Sequence, residues 1–399
     1  MTDWSTPRIS PVPLGRREGW RERVLDRDSP LRRMDWVLVV AATSLGVLGA
    51  VLVWSATRTR LESAGGDPQA FLKRHALNLC LGLAMGAVAA LVDYRMLRAY
   101  APIVYVASCL GLVAVLTPLG SVINGSRSWI EVGGGFQIQP SEFAKVALVV
   151  GMAMILGEKR DAEDDPRDSD VLLVLGLAAV PMGLILLQPD FGTMMVFVFT
   201  ILGVLAVSGA PARWVVGLIA AGVAAGWSIL HFDMLKDYQV ERFTSFANPS
   251  ANLGTAGYNV NQARIAIGSG GVRGSGLFQG TQTTGQFVPE QQTDFVFTVA
   301  GEELGFVGAG LILLLLAIIL WRGISIAANA GDAFGTLVAS GVVSWFAFQS
   351  FVNIGMTLGI MPVTGLPLPF VSYGGSSMFA TMMAIGLLCN VHMRSREWD

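Results

Sequence analysis

Ionisable side chains are scarce inside the apolar stretches of this 399-residue chain. Each is costly there and therefore a candidate for chemistry. Asp294, in PEQQTDFVF, opens an apolar stretch directly below a polar loop. A carboxylate at such a boundary suits a general base or a ligand for a divalent ion such as Mg²⁺ or Mn²⁺; it equally suits a helix N-cap. Glu142 and Lys145, in QPSEFAK, stand three residues apart and share one helix face. They read either as a self-neutralised pair anchoring the helix end, or as a lysine facing an anionic ligand with the glutamate orienting it. Asp190, in QPDFG, suits the cap of the next helix. Glu302 and Glu303, in GEELG, fall about 12 Å further along the stretch that Asp294 opens, a depth at which they must face protein or water.

Two further groups belong with these. Arg127, in NGSRSWIEVGGG, and Arg242, Arg264 and Arg273 are basic residues predicted to lie outside the membrane, where several together suit a phosphate-bearing lipid head group. MPVTGLPLPFVSYGGSS, 361–377, has too many prolines and glycines for an unbroken helix. At membrane depth such backbone must be buried or line a cavity. It suggests a cavity near the outer face, with Ser372 and Tyr373 as candidate substrate contacts.

Other chemistries are excluded. No lysine follows a glycine, so the chain has no GxxxxGK[ST] loop and no nucleotide cofactor is expected. The three histidines are too dispersed for zinc spacing, and no GxSxG occurs. Cys80, Cys109 and Cys389 all lie in apolar stretches and read as buried small hydrophobes. A nucleic-acid binder needs a basic field, and the net charge is −2.

The elements that must position these residues are membrane spans. The chain is 53% hydrophobic and 14% charged, too little charge to cover a water-facing surface. Apolar stretches of spanning length predict an all-α polytopic membrane protein of ten transmembrane helices: 37–55, 76–92, 102–118, 141–156, 171–187, 192–208, 212–230, 295–320, 334–355 and 371–391. Residues 1–36 form an Arg-rich, disordered cytoplasmic tail, 37–392 the transmembrane domain, and 393–399 a cytoplasmic C-terminus. The distribution of Arg and Lys among the loops places both termini inside. The first outer loop, with Arg58, Arg60, Lys73 and Arg74, is a local exception. Residues 231–293 then form a large extracytoplasmic loop between helices 7 and 8. Its Gly-, Thr- and Gln-rich end suits close backbone approach to a ligand, and Tyr258–Ile267 suits a short interfacial helix. The acidic stretch Glu158–Asp170 reads as a solvated connector.

QPSEFAK, QPDFGT, TDFVFTVAGEELGFVG and GLPLPFVSYGGSS, in that order and spacing, resemble the SEDS family of bacterial cell-wall polymerases from about Trp36 to Val391. Within it the chain is most similar to the elongation and cell-shape branch, with the division branch as the alternative. The resemblance implies ten transmembrane helices with a large loop between the seventh and eighth. It also implies a peptidoglycan glycosyltransferase of the bacterial cytoplasmic membrane, with an extracytoplasmic active site, that polymerises lipid II. The family's essential acid falls on Asp294, and Glu142 and Lys145 match its QPSEFAK pair. A class B penicillin-binding protein transpeptidase is the implied partner. On composition alone a lipid flippase or transporter competes, since it too needs many spans and intramembrane charges. A transporter site sits near the midplane, whereas most of these residues fall at the outer ends of spans.

Overall fold

The computed structural model describes residues 30–123, 126–133, 136–158, 166–231 and 255–395. Arg242, nearly all of the basic tail, the middle of the acidic connector and the first part of the long loop lie outside the described residues. After a single helical turn at Pro30–Arg33, the helices are α1 Trp36–Ser63, α2 Ala70–Leu91, α3 Tyr94–Leu116, α4 Pro140–Leu156, α5 Asp168–Leu186, α6 Phe191–Val207 and α7 Ala212–His231. They continue with α8 Thr255–Ser269, α9 Thr281–Thr284, α10 Val296–Glu303, α11 Gly305–Ala328, α12 Ala333–Leu358 and α13 Gly375–Ser395. Among the described residues seven helices (α1, α2, α3, α5, α11, α12 and α13) are long and apolar enough to cross a membrane. This is a multi-pass membrane protein.

Local chemistry sets the helix ends. Asp35 caps α1, its carboxylate accepting from Leu38 N at 3.2 Å, and Asp332 caps α12 through Gly335 N at 3.0 Å. Pro140 begins α4, where its missing N–H costs nothing. Pro181 sits inside α5 and cannot bond the carbonyl of Leu177. Tyr105 of α3 supplies the missing donor, its hydroxyl reaching Leu177 O at 2.6 Å. The proline that weakens one helix thereby ties it to its neighbour.

The centre of the bundle is α4, α12 and α13, buried nearly all round. Small residues bring α13 onto α2: a Cβ on Gly386 would stand 2.1 Å from Gly86 O, so only glycine permits this approach.

Three expectations are corrected. The chain is not all-α: between α3 and α4 lies an antiparallel sheet of β1 Gly120–Ile123, β2 Ser126–Gly133 and β3 Phe136–Ile138, in the order β1-β2-β3. Its β-branched and aromatic residues, Trp129, Ile130 and Val132, favour strands, but runs this short are overshadowed by the long apolar stretches around them. The last span does not begin at Val371; 359–374 is irregular and helix resumes at Gly375.

The third correction concerns 295–320, which is two helices rather than one. The chain turns at Gly305, whose φ of +65° favours glycine, and the segment 270–276 enters the break. There Ser275 N donates to Glu302 O at 2.9 Å and Gly276 N to Glu303 O at 3.0 Å. Phe306 N donates to Gly271 O at 2.9 Å, and Val307 N to Val272 O at 3.2 Å. The orphan carbonyls ending α10 and the orphan N–H groups opening α11 are thus satisfied by the same loop. The close approach for which these glycines are suited is to the chain itself.

Candidate active site

Four stretches far apart in sequence meet at one end of the bundle. Gln139, preceding α4, donates from its backbone N to Ser376 Oγ at 2.9 Å and from its side chain to Asp190 at 3.3 Å. Asp190 also caps α6, accepting from Thr193 N at 3.0 Å and Thr193 Oγ1 at 2.7 Å. The sheet docks on the same turn, with Ser126 Oγ donating to Gln188 O at 2.8 Å. Tyr373 N donates to Gln292 O at 2.8 Å, joining the SYGG segment to the QQTD segment.

Asp294 lies in this junction, half-buried, directly before α10. The cap position of α10 is Phe295, one residue later than an aspartate cap would require. The Asp294 carbonyl accepts from Asn353 Nδ2 of α12 at 2.8 Å, and that amide also donates to Leu366 O at 2.7 Å. A Cβ on Gly365 would stand 3.5 Å from Asp294 Oδ2, so the carboxylate lies against the GLPLP segment.

Glu142 and Lys145 are each 1% exposed, and Lys145 Nζ donates to Glu142 Oε1 at 2.7 Å and Gln349 Oε1 at 3.0 Å. The ammonium also stands 4.7 Å from the Trp345 ring centroid, a cation–π contact. Trp345 Nε1 bonds the same Gln349 Oε1 at 2.7 Å, and Gln349 Nε2 donates to Pro367 O at 2.8 Å. Lys145 therefore faces protein on every side. Its charge is linked to the GLPLP segment through Gln349.

Ser372 is buried, and its Oγ accepts from Leu368 N at 2.8 Å, closing the turn that carries Tyr373. The Tyr373 ring is half-buried, 4.8 Å from Phe71 of α2. Arg127, Arg264 and Arg273 are exposed, on β2, on α8 and in the 270–276 turn, outside this hydrogen-bonded junction. Arg264 rests against Gly359 at the end of α12, where a Cβ would stand 3.2 Å from its Cδ.

Glu302 and Glu303 close α10 and precede the long apolar helix, which begins at Gly305. Glu302 holds the loop, accepting from Gln282 N at 2.7 Å, Thr283 N at 2.9 Å and Thr283 Oγ1 at 2.7 Å. Glu303 accepts from Ser55 of α1 at 2.6 Å. Charge-assisted bonds of this kind are each worth about 1.5–3 kcal/mol. Glu302→Gln, which keeps the shape and removes the charge, is expected to free residues 270–285 and speed their amide hydrogen exchange at least tenfold. Unchanged exchange in that segment would contradict this assignment.

Gln349 and Asn353 carry no charge, so charge patterning does not single them out. The available signal was two amides four residues apart, on one face of an otherwise apolar span.

Among the described residues, no three His, Cys, Asp or Glu side chains gather to hold a metal ion. A cage built by protein alone does not fit Asp294. A Mg²⁺ site of one carboxylate plus substrate phosphates asks for Asp294 alone, and the half-buried side chain fits that form.

A family model described as cell cycle protein, covering FtsW, RodA and SpoVE, matches residues 35–397. The chain belongs to this family. Stage V sporulation protein E of Bacillus subtilis (strain 168) is 39% identical over 363 residues, 91% of this chain and 98% of the relative. Peptidoglycan glycosyltransferase MrdB of Escherichia coli (strain K12) is 37% identical over 366 residues, 92% of this chain and 97% of the relative. Among solved structures, one chain of a peptidoglycan synthase complex that coordinates polymerization and crosslinking is 35% identical, with a TM-score of 0.76. The match covers 92% of this chain and 99% of that one. The rod shape determining protein RodA of Thermus thermophilus is 33% identical with a TM-score of 0.66, over 92% of this chain and 98% of RodA. The four motif stretches of this family member are thus the ones its fold draws together.

Proposed function

We infer that this chain is a peptidoglycan glycosyltransferase that joins lipid II disaccharides into β-1,4 glycan strands on the outer face of the bacterial cytoplasmic membrane. The observation that carries the reading is Asp294, held by Asn353 and lying against GLPLP where the motif stretches meet. The acid serves as general base. It takes the proton from the acceptor sugar's 4-hydroxyl, and that oxygen bonds to the donor's anomeric carbon. The bond from that carbon to the pyrophosphate breaks, and undecaprenyl pyrophosphate leaves. A single direct displacement inverts the α-linked donor to a β-linked polymer. The leaving group supplies the driving force, so no nucleotide is needed.

In this reading Arg127, Arg264 and Arg273, with Arg242, meet the lipid's phosphates, and Tyr373 with its Ser372-braced turn borders the sugar. Glu142 and Lys145 serve the site from within, through Gln349. Asp294 is the residue that would hold a divalent ion, which would supply charge neutralisation at the substrate's phosphates. The helices α4, α6 and α7 complete ten spans, with both termini cytoplasmic and 231–293 outside. An elongation role is in keeping with the likeness to the rod shape determining protein RodA, 33% identical over 92% of this chain. A class B penicillin-binding protein is the expected partner, in keeping with the likeness to a synthase complex.

The test is incubation of the purified protein with lipid II in detergent, where transport across a membrane is impossible, followed by sizing of the glycan. Polymer supports the reading, and intact lipid II under every condition overturns it. Prior removal of divalent ions with EDTA is expected to lower the rate at least tenfold, with Mg²⁺ or Mn²⁺ restoring it. An unchanged rate after chelation would remove the ion from the scheme.

A further inference from the structure

The amide of Asn353 connects two segments that the chemistry must keep in register. Its residue is fully buried in α12, and both hydrogens of its Nδ2 are spent, one on Asp294 O and one on Leu366 O. Gln349 lies one turn earlier on the same face, also fully buried, and its Nε2 holds the next carbonyl, Pro367 O. Its Oε1 is fixed in turn by Lys145 Nζ and Trp345 Nε1. The α12 face thus carries two amides about 6 Å apart along the axis, gripping three backbone carbonyls.

Those carbonyls belong to irregular backbone, which no helical or strand ladder holds in place. Carbonyls buried without donors are expensive, so the amides both satisfy them and determine where they sit. Helix α12 is central and packed on most sides, a rigid reference against which a loop can be set. Asn353 donates both to the residue proposed as base and to the segment its carboxylate lies against.

We propose that Asn353, braced by Gln349, is a positioning residue that sets Asp294 relative to the GLPLP segment and hence to the acceptor hydroxyl. The proposal rests on Asp294 being the general base. Asn353 acts on the backbone of Asp294 and takes no proton itself. A misplacement of about 1 Å in a catalytic group costs on the order of 100-fold in rate.

The experiment is lipid II polymerisation by the purified full chain, measuring kcat and KM for Asn353→Leu, Asn353→Gln and Asp294→Asn beside the wild type. Asn353→Leu keeps the bulk and removes both donors. It is expected to lower kcat by roughly 100-fold with KM within threefold, because the substrate's own contacts remain. Asn353→Gln restores an amide and should recover at least tenfold of that loss. A merely structural role predicts instead a KM for Asn353→Leu that moves with kcat, or a loss explained by a smaller folded fraction; either result overturns the proposal. So does a wild-type kcat. If Asn353→Leu fails to fold, Asn353→Ser, which is smaller and has one donor, decides in its place: a kcat loss of about tenfold at unchanged KM supports the proposal, and no loss overturns it. Asp294→Asn separates the two levels of inference. An active Asp294→Asn sinks the base assignment, whereas an inactive one beside a fully active Asn353→Leu sinks only the positioning role.

Discussion

Asp294→Asn is expected to reduce lipid II polymerisation by roughly a thousandfold, since general-base catalysis contributes 10²–10⁴ and the amide cannot accept the proton. The substitution changes one atom and keeps the shape. The backbone carbonyl that Asn353 holds is untouched, so the protein should fold and bind lipid II as before. The measurement is initial rate at saturating lipid II, with binding followed separately. A thousandfold loss with binding retained identifies a group acting in the chemical step. A rate within tenfold of wild type would mean that another group takes the proton.

The second large effect is on stability. Lys145→Met leaves Glu142 as a carboxylate 1% exposed, its Nζ partner at 2.7 Å removed. Breaking a buried pair from one side costs about 3–5 kcal/mol, because the remaining charge is uncompensated. The same change frees Gln349 Oε1 from one of its two donors and weakens the grip on Pro367. Thermal unfolding in detergent is therefore expected to shift clearly downward for Lys145→Met. Adding Glu142→Gln should recover most of the loss, since a neutral pair of similar volume costs much less to bury. If Lys145→Met were as stable as the wild type, the ammonium would not be the neutraliser of Glu142. Activity of the double variant then reports on Lys145 separately from folding. A double variant that is stable but slow would give the lysine a part in catalysis beyond holding the bundle.

The two readings first open for QPSEFAK are thus separated by contacts that the sequence does not contain. Spacing put Glu142 and Lys145 on one face; it did not say what that face meets. Two α12 residues, Trp345 and Gln349, and the irregular segment beyond that helix enclose the pair. Asp190 was legible as a cap because capping is a bond to a backbone N–H three residues away. Glu302 was not legible: its partners lie near residue 282, in a loop whose path through the α10–α11 break is set by packing. The sheet is not legible for a related reason. Strands of three to eight residues gain their stability from docking on the QPDFG turn, and local pattern carries little of that.

What the amino-acid sequence by itself determined is the membrane class, the approximate positions of most long helices, and four motif stretches with Asp294 among them. Hydrophobic runs and helix-capping patterns are local, and the cost of exposing backbone to lipid leaves few alternatives to helices. Only the tertiary structure decided that those stretches share one junction, that Lys145 is turned wholly into protein, and that the glycine-rich loop closes a broken helix. It alone brought Asn353 onto Asp294, across 59 positions of chain. The physical reason is that buried polar groups must find partners wherever packing places them. Which partners are within reach is a property of the assembled bundle.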